Sequence, residues 1–230
     1  MAVLVFTENW DGKFKKSSYE LVSYASKLAE MTNDHTVALS IGNVAEEDLR
    51  QLADYGAEKI LSANQENLKQ LDNQAYTSVI EQAAKQEGAN LVVMAHNNMG
   101  KALAPRLSVK MEAALGSEVK QLPESLEPFT INKKVFSGKA FANVVLKSDN
   151  KILTLAQNSY GVYENAREPS IEAFAPEISD DMVKTHVTNV EKHRDKLLLT
   201  DAERVVSGGR GMKTPENWYK LENLANELGA

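Results

Sequence analysis

The stretch best suited to chemistry lies near the C-terminus, where three of the 12 glycines fall within four residues. Residues 205–218 read VVSGGRGMKTPENW, an apolar segment followed by glycines and then a pattern typical of a helix N-terminus. Glycines let a ligand approach the backbone closely, and the free N–H groups of a helix N-terminus suit phosphate. Arg210 adds a planar fork of donors for an anion or a flat ring. The pattern predicts an anion or cofactor site; the alternative is a tight strand–helix turn that carries a surface arginine.

Other reactive side chains do not form recognisable sites. The chain has no cysteine, which excludes disulfides, thiolate zinc sites, iron–sulfur ligation and cysteine nucleophiles. Gly100-Lys101 lacks the remaining residues of a P-loop, and no G-x-G-x-x-G follows the first predicted strand. Four histidines show no metal-ligand spacing: His35, His96, His186 and His193. His96 follows a predicted strand, where ligands of parallel sheets bind, but we interpret it as an ordinary loop histidine.

Composition places the chain in the ordinary globular range, with 43% apolar and 25% charged residues among 230. The 26 basic and 32 acidic residues give a net charge of −6, and no basic stripe indicates nucleic-acid binding. Apolar runs of about six residues are too short to span a membrane. Because the N-terminus carries no pattern of a signal or transit peptide, we expect a location in the bacterial cytoplasm.

The first two-thirds of the sequence alternate between strand and helix patterns. Short apolar runs predict strands at residues 2–6, 37–41, 60–61 and 91–94. Helical spacing predicts a helix that begins at a capping box in residues 17–20, and further helices at 44–55, 72–87 and 101–115. Pro105 would bend the last of these and Gly116 would close it. Strand–helix repetition predicts a three-layer αβα fold with a mostly parallel sheet that binds ligands beyond the strand C-termini.

The pattern changes after Leu122. Residues 135–136, 141–146 and 152–155 are β-branched or aromatic, which predicts antiparallel strands that extend the parallel sheet. Residues 158–181 hold six acidic side chains against one arginine, a local net charge of −5. This segment is either a solvated linker that stays extended by self-repulsion or a surface strap or partner contact. Alternation at residues 183–188 predicts one more strand.

The remaining residues read as the beginning of a second domain. A predicted strand at 203–207 precedes the glycines, and a helix follows with Thr214 as N-cap and Pro215 at its first position. We expect the apolar side chains of this helix to point inward: Trp218, Leu221, Leu224, Ala225 and Leu228. A strand and one helix cannot close a core, so we expect domains at residues 1–194 and 195–230, the second an incomplete α/β domain.

The glycine-rich stretch also carries a family resemblance. Residues 207–213 (SGGRGMK), followed by Glu216-Asn217-Trp218, resemble the opening of the FAD-binding domain in the electron transfer flavoprotein alpha-subunit family. Residues 100–107 resemble that family's Gly-Lys-Asp-Leu-x-x-Arg-Leu segment, with Ala102 in place of the acidic residue. Residues 3–8 match the usual first strand, and 136–140 match a Tyr-Ala-Gly-Asn-like strand in part. The resemblance covers essentially all 230 residues.

The resemblance implies a carrier and not an enzyme. Such an alpha subunit pairs with a beta subunit whose fold resembles this N-terminal domain, and the heterodimer holds one FAD and, in the beta subunit, an AMP. It accepts electrons from flavin dehydrogenases such as acyl-CoA dehydrogenases and passes them to a membrane quinone oxidoreductase, the electron-transferring-flavoprotein quinone oxidoreductase. The N-terminal domain would resemble the adenine-nucleotide alpha-hydrolase-like group. Arg210, with Gly209 behind it, is the FAD contact that carries over, because the family's other contacts follow the position of Ala230.

A second hypothesis is a stand-alone adenine-nucleotide-binding domain of the universal-stress type, which shares the α/β layout. Its nucleotide would lie around residues 96–101, a site that the alpha subunits of the resembled family do not usually use. The SGGRG stretch and the extra strands after Leu122 favour the carrier subunit.

Overall fold

The computed structural model describes residues 2–190, 199 and 202–230. These residues form two compact units, Met1–His186 and Val187–Ala230. The predicted domain boundary between residues 194 and 195, and His193, lie outside the described residues.

Most secondary structure belongs to the first unit. Its strands are β1 (Ala2–Thr7), β2 (Asn9–Trp10), β3 (Lys13–Phe14), β4 (His35–Ile41), β5 (Lys59–Ala63), β6 (Ala89–Ala95), β7 (Ala114–Val119), β8 (Ser125–Leu126), β9 (Phe129–Val135), β10 (Ala140–Val145), β11 (Lys151–Leu155) and β12 (Ser170–Ala173). Its helices are α1 (Lys16–Thr32), α2 (Glu46–Arg50), α3 (Asn73–Gln86) and α4 (Asn98–Lys110). The second unit contributes α5 (Tyr219–Leu228).

The core is a seven-stranded sheet in the order β12-β5-β4-β1-β6-β11-β7, with every neighbouring pair parallel. Successive side chains of the central strand β1 point to opposite faces. Leu4 and Phe6 pack with α3 and α4, whereas Val3 and Val5 pack with α1. The apolar run that opens the chain is therefore buried on both faces, as expected for a central parallel strand. The three-layer α/β fold class is confirmed.

The predicted end of α4 is wrong. The helix includes Pro105 but stops at Lys110, residues 111–113 form a turn, and the last two residues of the predicted helix belong to the edge strand β7. Gly116 does not cap a helix. A Cβ atom at Gly116 would lie 2.7 Å from Cδ2 of Leu153 and 2.8 Å from Cδ1 of Ile131. The glycine is needed because side chains from β11 and β9 pack closely against its backbone.

The predicted antiparallel extension of the main sheet is partly wrong. β9 and β10 are antiparallel, but they form a separate three-stranded sheet with β8, in the order β10-β9-β8. β11, predicted as antiparallel, lies parallel between β6 and β7 in the main sheet. Its side chains are almost all buried, which suits a central parallel position.

The predicted capping box of α1 is also absent. The helix begins at Lys16, and Lys15 occupies the N-cap position without a side-chain hydrogen bond. Ser18 donates its hydroxyl to the carbonyl oxygen of Glu8 at 2.7 Å. Glu20 is only 3% exposed, and it accepts hydrogen bonds from a segment distant in sequence and does not cap the helix. Its oxygens lie 2.8–3.0 Å from the backbone nitrogens of residues 158–161.

Residues 158–185, referred to here as the belt, are ordered against the first unit and are not a solvated linker. The belt crosses α1, where Glu20 holds it, and then forms β12 at the edge of the main sheet. The end of the belt contacts Asp72, the residue before α3, which accepts hydrogen bonds from the backbone N–H groups of Lys184 and Thr185. Because α1 and α3 pack on opposite faces, the belt wraps around the β12 edge. The strand predicted at residues 183–188 does not form.

In the second unit, Thr214 occupies the predicted N-cap position and Pro215 opens a 3-10 turn that leads into α5. The Thr214 side chain makes no capping hydrogen bond to the backbone. Residues 203–207, predicted as a strand, are irregular. Arg204 donates from Nη1 to the carbonyl oxygen of Leu228 at 2.7 Å. Of the apolar side chains expected to point inward, Trp218, Leu224 and Leu228 are about half exposed, and the others are partly buried.

Candidate cofactor site

The glycine loop, residues 207–214, is held by short-range hydrogen bonds. Residues Arg210–Met212 form a 3-10 turn in which the Met212 N–H donates to the Gly209 oxygen at 2.9 Å. Lys213 follows with a positive φ of 66°. Asn217, within the 3-10 turn Pro215–Trp218, donates a hydrogen bond from its side-chain amide to the Met212 oxygen at 2.7 Å. These contacts fix the loop against the N-terminal turn that leads into α5.

The glycines of this loop occupy different environments. A Cβ atom at Gly208 would lie 2.3 Å from Cδ1 of Leu221, so packing within the unit explains that glycine. No described atom lies within 4 Å of a Cβ placed at Gly209 or Gly211. Gly209 has φ −127°, a conformation that other residues adopt readily. Neither packing nor backbone strain accounts for Gly209, which suits a position where an external ligand approaches the backbone.

Arg210 lies on the same exposed surface of the loop. Within the part of the chain that the structure describes, its guanidinium forms no ion pair. The loop therefore offers a charged planar donor beside open backbone, which fits an anionic group or the edge of a flat ring. No group of three metal-ligating side chains occurs among residues 2–190, 199 and 202–230. The arrangement is suited to binding and to electrostatic tuning.

A second candidate lies at the carboxyl edge of the main sheet, between β1 and β6. The chain continues from β1 to β4 on one side, while β6 lies on the other, which makes this the topological switch point where α/β sheets bind ligands. Glu8 follows β1 and Asn97 follows β6. The Asn97 amide nitrogen donates to both carboxylate oxygens of Glu8, at 2.9 and 2.8 Å. Asn97 also caps α4, because its Oδ1 accepts from the Gly100 N–H at 2.9 Å.

The residues at this edge serve the fold. The His96 ring nitrogen Nδ1 lies 2.9 Å from the Thr154 hydroxyl, and burial, followed by the charge of Lys101, lowers the pKa of His96. A Cβ atom at Gly100 would lie 1.7 Å from the Ala95 oxygen, so that glycine is required where α4 packs on β6. The carboxylate of Glu8 thus occupies the position where a nucleotide phosphate would be expected. This geometry supports the interpretation of His96 as an ordinary loop residue.

Glu8 provides a test of this arrangement. Burial raises the pKa of Glu8, and the Asn97 hydrogen bond and the Lys15 charge offset only part of that effect. A raised carboxyl pKa contributes stability below the unfolded value of about 4.5, and that contribution is lost as the pH rises through the folded pKa. We therefore expect Glu8→Gln to remove a decline in unfolding free energy that begins as the pH rises above about 4.5.

The measurement for Glu8→Gln is urea unfolding at several pH values. Glu164→Gln, at an exposed position, is the matched control and should leave the pH profile unchanged. The expectation would be contradicted by a variant that is less stable than the wild type at neutral pH and has the same dependence of unfolding free energy on pH. That result would mean that the folded chain favours the ionised form of Glu8.

Two family models match consecutive parts of the chain. Residues 3–179 match the electron transfer flavoprotein domain, and residues 198–230 match the electron transfer flavoprotein FAD-binding domain. The chain belongs to the electron transfer flavoprotein family. The glycine loop with Gly209 and Arg210 lies inside the segment that matches the FAD-binding domain. A direct contact of these two residues with FAD stays a prediction.

Characterised relatives agree with the alpha-subunit resemblance. The electron transfer flavoprotein subunit alpha of Bacillus subtilis is 28% identical over 231 residues, which cover 99% of this chain and 70% of the relative. The subunit alpha of Clostridium acetobutylicum is 28% identical over 237 residues, with the same coverage. Subunit LctC of the lactate dehydrogenase (NAD(+),ferredoxin) of Acetobacterium woodii is 23% identical over 233 residues, covering 99% of this chain and 56% of the relative.

Sequence reasoning missed the buried carboxylates that organise the first unit. Glu8, Glu20 and Asp72 are each at most 8% exposed and accept hydrogen bonds from segments distant in sequence or from a helix end. Asp72 carried a usable signal, because it is the first residue of the helix predicted at 72–87 and Asp is a preferred N-cap. The S-x-x-E pattern at Glu20 pointed to a local cap, and nothing in the sequence indicated its true partner more than a hundred residues away.

Proposed function

We propose that this flavoprotein-family chain works as the alpha subunit of a heterodimeric electron carrier. The observation that supports this is the serial match of one chain to the electron transfer domain and then to the FAD-binding domain. Relatives named for acryloyl-CoA reductase and for an NAD- and ferredoxin-dependent lactate dehydrogenase point to electron transfer beside flavin dehydrogenases. The proposed donors are dehydrogenases such as acyl-CoA dehydrogenases, and the proposed acceptor is a membrane quinone oxidoreductase. We propose that this exchange takes place in the bacterial cytoplasm.

The glycine loop is the proposed contribution of this chain to the FAD site. FAD supplies the electron-accepting and electron-donating chemistry when it is bound. Arg210 donates hydrogen bonds to an anionic or planar part of the cofactor, and Gly209 allows the cofactor to approach the backbone. The loop holds a fixed positive charge but no general acid–base pair. Its proposed role is therefore to bind and tune a carrier and not to transform a substrate.

The small antiparallel sheet is the proposed contact with the beta subunit, which would hold the AMP. Residues 128–148 contain four lysines and no acidic residue in a chain of net charge −6. Phe136 is 79% and Phe141 65% exposed on this hairpin, and Val145 is also exposed. Exposed aromatic side chains with basic neighbours are typical of protein interfaces. The acidic, outward-facing side chains of the belt supply charge of the opposite sign nearby in sequence.

Hydrogen exchange in the presence of a beta subunit tests this contact. We expect slower exchange in residues 135–145 and in the belt, because a stable interface of this kind buries about 1,200 Å² or more. Replacing Phe141 with serine should weaken association without unfolding the chain, since the side chain is exposed. Val109→Ser removes an exposed apolar side chain from α4 and serves as the control. Unchanged exchange across residues 135–181 would contradict the proposed contact.

The alternative function, a stand-alone adenine-nucleotide-binding domain, is disfavoured by one feature. The Glu8 carboxyl group lies at the switch point, where such a domain would bind phosphate, and it is hydrogen-bonded to Asn97. Phosphate beside a buried carboxylate is electrostatically unfavourable. The carrier function does not need this crevice to be open.

Co-expression with a candidate beta subunit tests the proposed function as a whole. We expect affinity capture of this chain to co-purify the beta subunit. The two proteins should then elute from gel filtration as an equimolar complex. A chain that remains alone and carries bound adenine nucleotide would favour the alternative instead.

This chain by itself should not retain stoichiometric FAD. The glycine loop is open and would form only one wall of the proposed site, whereas large ligands bury most of their surface in a formed pocket. The measurement is flavin absorbance per chain after gel filtration without a beta subunit. A ratio near one FAD per chain would mean that the cofactor binds elsewhere.

A further inference from the structure

The edge strand β7 contains a β-bulge. Its pairing with β11 shifts register between Leu153 and Leu155, so that Ser117 and Glu118 of β7 together face Thr154. The extra residue of a bulge is left out of the regular hydrogen-bond ladder. Glu118 also has a φ of 59°, a left-handed conformation that is costly for a residue with a side chain. The bulge therefore needs support from side chains around it.

The side chain of Thr154 supplies this support. Its hydroxyl oxygen accepts a hydrogen bond from the backbone N–H of Glu118, with 3.0 Å between oxygen and nitrogen. The same oxygen lies 2.9 Å from Nδ1 of His96, the residue that follows β6. Thr154 is only 1% exposed, so its hydroxyl depends on these protein partners. The hydroxyl thus connects β7, β11 and the end of β6.

The hydrogen bonds of this hydroxyl define the protonation of His96. A hydroxyl group has one proton to donate and lone pairs that accept. Because the Glu118 N–H is a donor, the buried Thr154 proton is donated to Nδ1 of His96. Nδ1 can accept only when it carries no proton, so the ring is neutral with its proton on Nε2. A second proton on the ring would leave the Thr154 hydroxyl without this acceptor.

The surroundings of His96 also oppose a positive charge. Burial is the main cause that lowers its pKa, and the charges of Lys101 in α4 and Lys133 in β9 lower it further, whereas Glu118 in β7 acts in the opposite direction. A histidine with a lowered folded pKa contributes stability above its ordinary value of 6.5, and that contribution is lost as the pH falls. Acid therefore favours any local opening that frees the ring.

We propose that neutral His96 is a pH-sensitive lock on the bulge of β7. At neutral pH the ring accepts the Thr154 proton and so keeps the hydroxyl oxygen directed at the Glu118 N–H. In acid the protonated ring no longer accepts this proton, and the bulge opens more often. Lys133 of β9 donates to the Ser117 hydroxyl at 3.0 Å, so the lock acts where the small antiparallel sheet contacts the main sheet.

Amide hydrogen exchange at Glu118 tests the lock. We expect its protection, corrected for the intrinsic exchange rate, to fall about fivefold or more as the pH is lowered from about 7 to about 5. His96→Gln removes the titrating ring but keeps an oxygen that can accept the Thr154 proton, so this pH dependence should disappear. His35→Gln removes a histidine at the start of β4, serves as the matched control and should behave like the wild type.

Variants of Thr154 test the hydroxyl without changing His96. Thr154→Val keeps the shape but lacks the hydroxyl, and exchange at Glu118 should be about fivefold faster or more already at neutral pH. Thr154→Ser keeps the hydroxyl and should retain both the protection and its pH dependence. The imidazole nitrogen shifts of wild-type His96, measured by NMR, should show the proton on Nε2 at neutral pH. These measurements apply even if His96→Gln fails to fold.

Three results would overturn the proposal. The first is a His96 ring that carries its proton on Nδ1 at neutral pH. The second is a protection of Glu118 that does not change with pH in the wild type, or that changes equally in His96→Gln. The third is equal acceleration in Thr154→Val and Thr154→Ser, because it would assign the effect to packing and not to the hydroxyl.

Discussion

Replacing Arg210 with alanine in a complete alpha–beta heterodimer is expected to weaken FAD binding by about ten- to a hundredfold. The guanidinium is exposed and unpaired among the described residues, so its proposed hydrogen bond to the cofactor would not replace an existing ion pair. A charge-assisted hydrogen bond contributes about 1.5–3 kcal/mol, which corresponds to this range of affinity. FAD affinity is measured by fluorescence titration, and the flavin potential by redox titration.

The two measurements together locate Arg210 on the cofactor. If the guanidinium faces the isoalloxazine ring, its removal should make the flavin harder to reduce, because a nearby positive charge favours added electrons. If it faces the pyrophosphate, affinity should fall with little change in potential. Wild-type values in both measurements would mean that Arg210 is a surface residue on a tight turn.

Glycine variants in the same loop test close approach of the ligand. A Cβ at Gly209 meets open space, so Gly209→Ala should fold like the wild type and still weaken FAD binding. Gly208→Ala should instead destabilise the unit itself, since its Cβ would collide with Leu221. If Gly209→Ala binds FAD normally, the cofactor does not approach this part of the backbone.

Removing the Glu20 carboxylate should strongly destabilise the first unit, by about 2–4 kcal/mol for Glu20→Ala. The carboxylate accepts from four consecutive backbone N–H groups, those of residues 158–161. Alanine would leave these donors without their acceptor and open a gap between α1 and the belt. The effect is measured by urea unfolding, with hydrogen exchange to localise it to residues 158–161.

Glu20→Gln is the graded control. Three of the four N–H groups donate to the same oxygen, Oε1, so a glutamine oxygen can accept them, although without the charge. Its effect should be clearly smaller than that of alanine. If both variants are as stable as the wild type, water replaces the carboxylate at the belt, and the belt does not depend on Glu20.

The parallel sheet could be predicted because its strands carry their own signal. The run from Ala2 to Phe6 is apolar without alternation, which is the pattern of a strand buried on both faces. The composition of β11 is compatible with either a parallel or an antiparallel strand. Its parallel partners, β6 and β7, are distant in sequence, and local periodicity does not show which strands pair. The predicted end of α4 was wrong because the sequence of residues 113–116 is compatible with a helix and with a strand. Only the long-range packing of Leu153 and Ile131 over Gly116 favours the strand.

The glycine loop was predictable for a different reason. Gly209 and Arg210 stand in a local motif, so their proposed chemistry depends on spacing within a few residues. The buried carboxylates depend on long-range contacts. Glu20 pairs with residues more than 130 positions away, and Asp72 with residues more than 110 away. An acidic side chain at such a position looks like any solvated one until the fold brings backbone donors to it.

The strand order has a consequence for how the protein is made. β6 and β7 follow one another along the chain, yet the sheet leaves one strand's width between them, and β11 fills it. While the ribosome has released only β1 to β7, β6 therefore has an open edge and β7 has no partner in the main sheet. Insertion of β11 closes both edges at once, but only after the hairpin of β9 and β10 has been synthesised. Nascent chains that stall before residue 151 would expose two apolar edges, the form of a sheet most prone to pair with other chains.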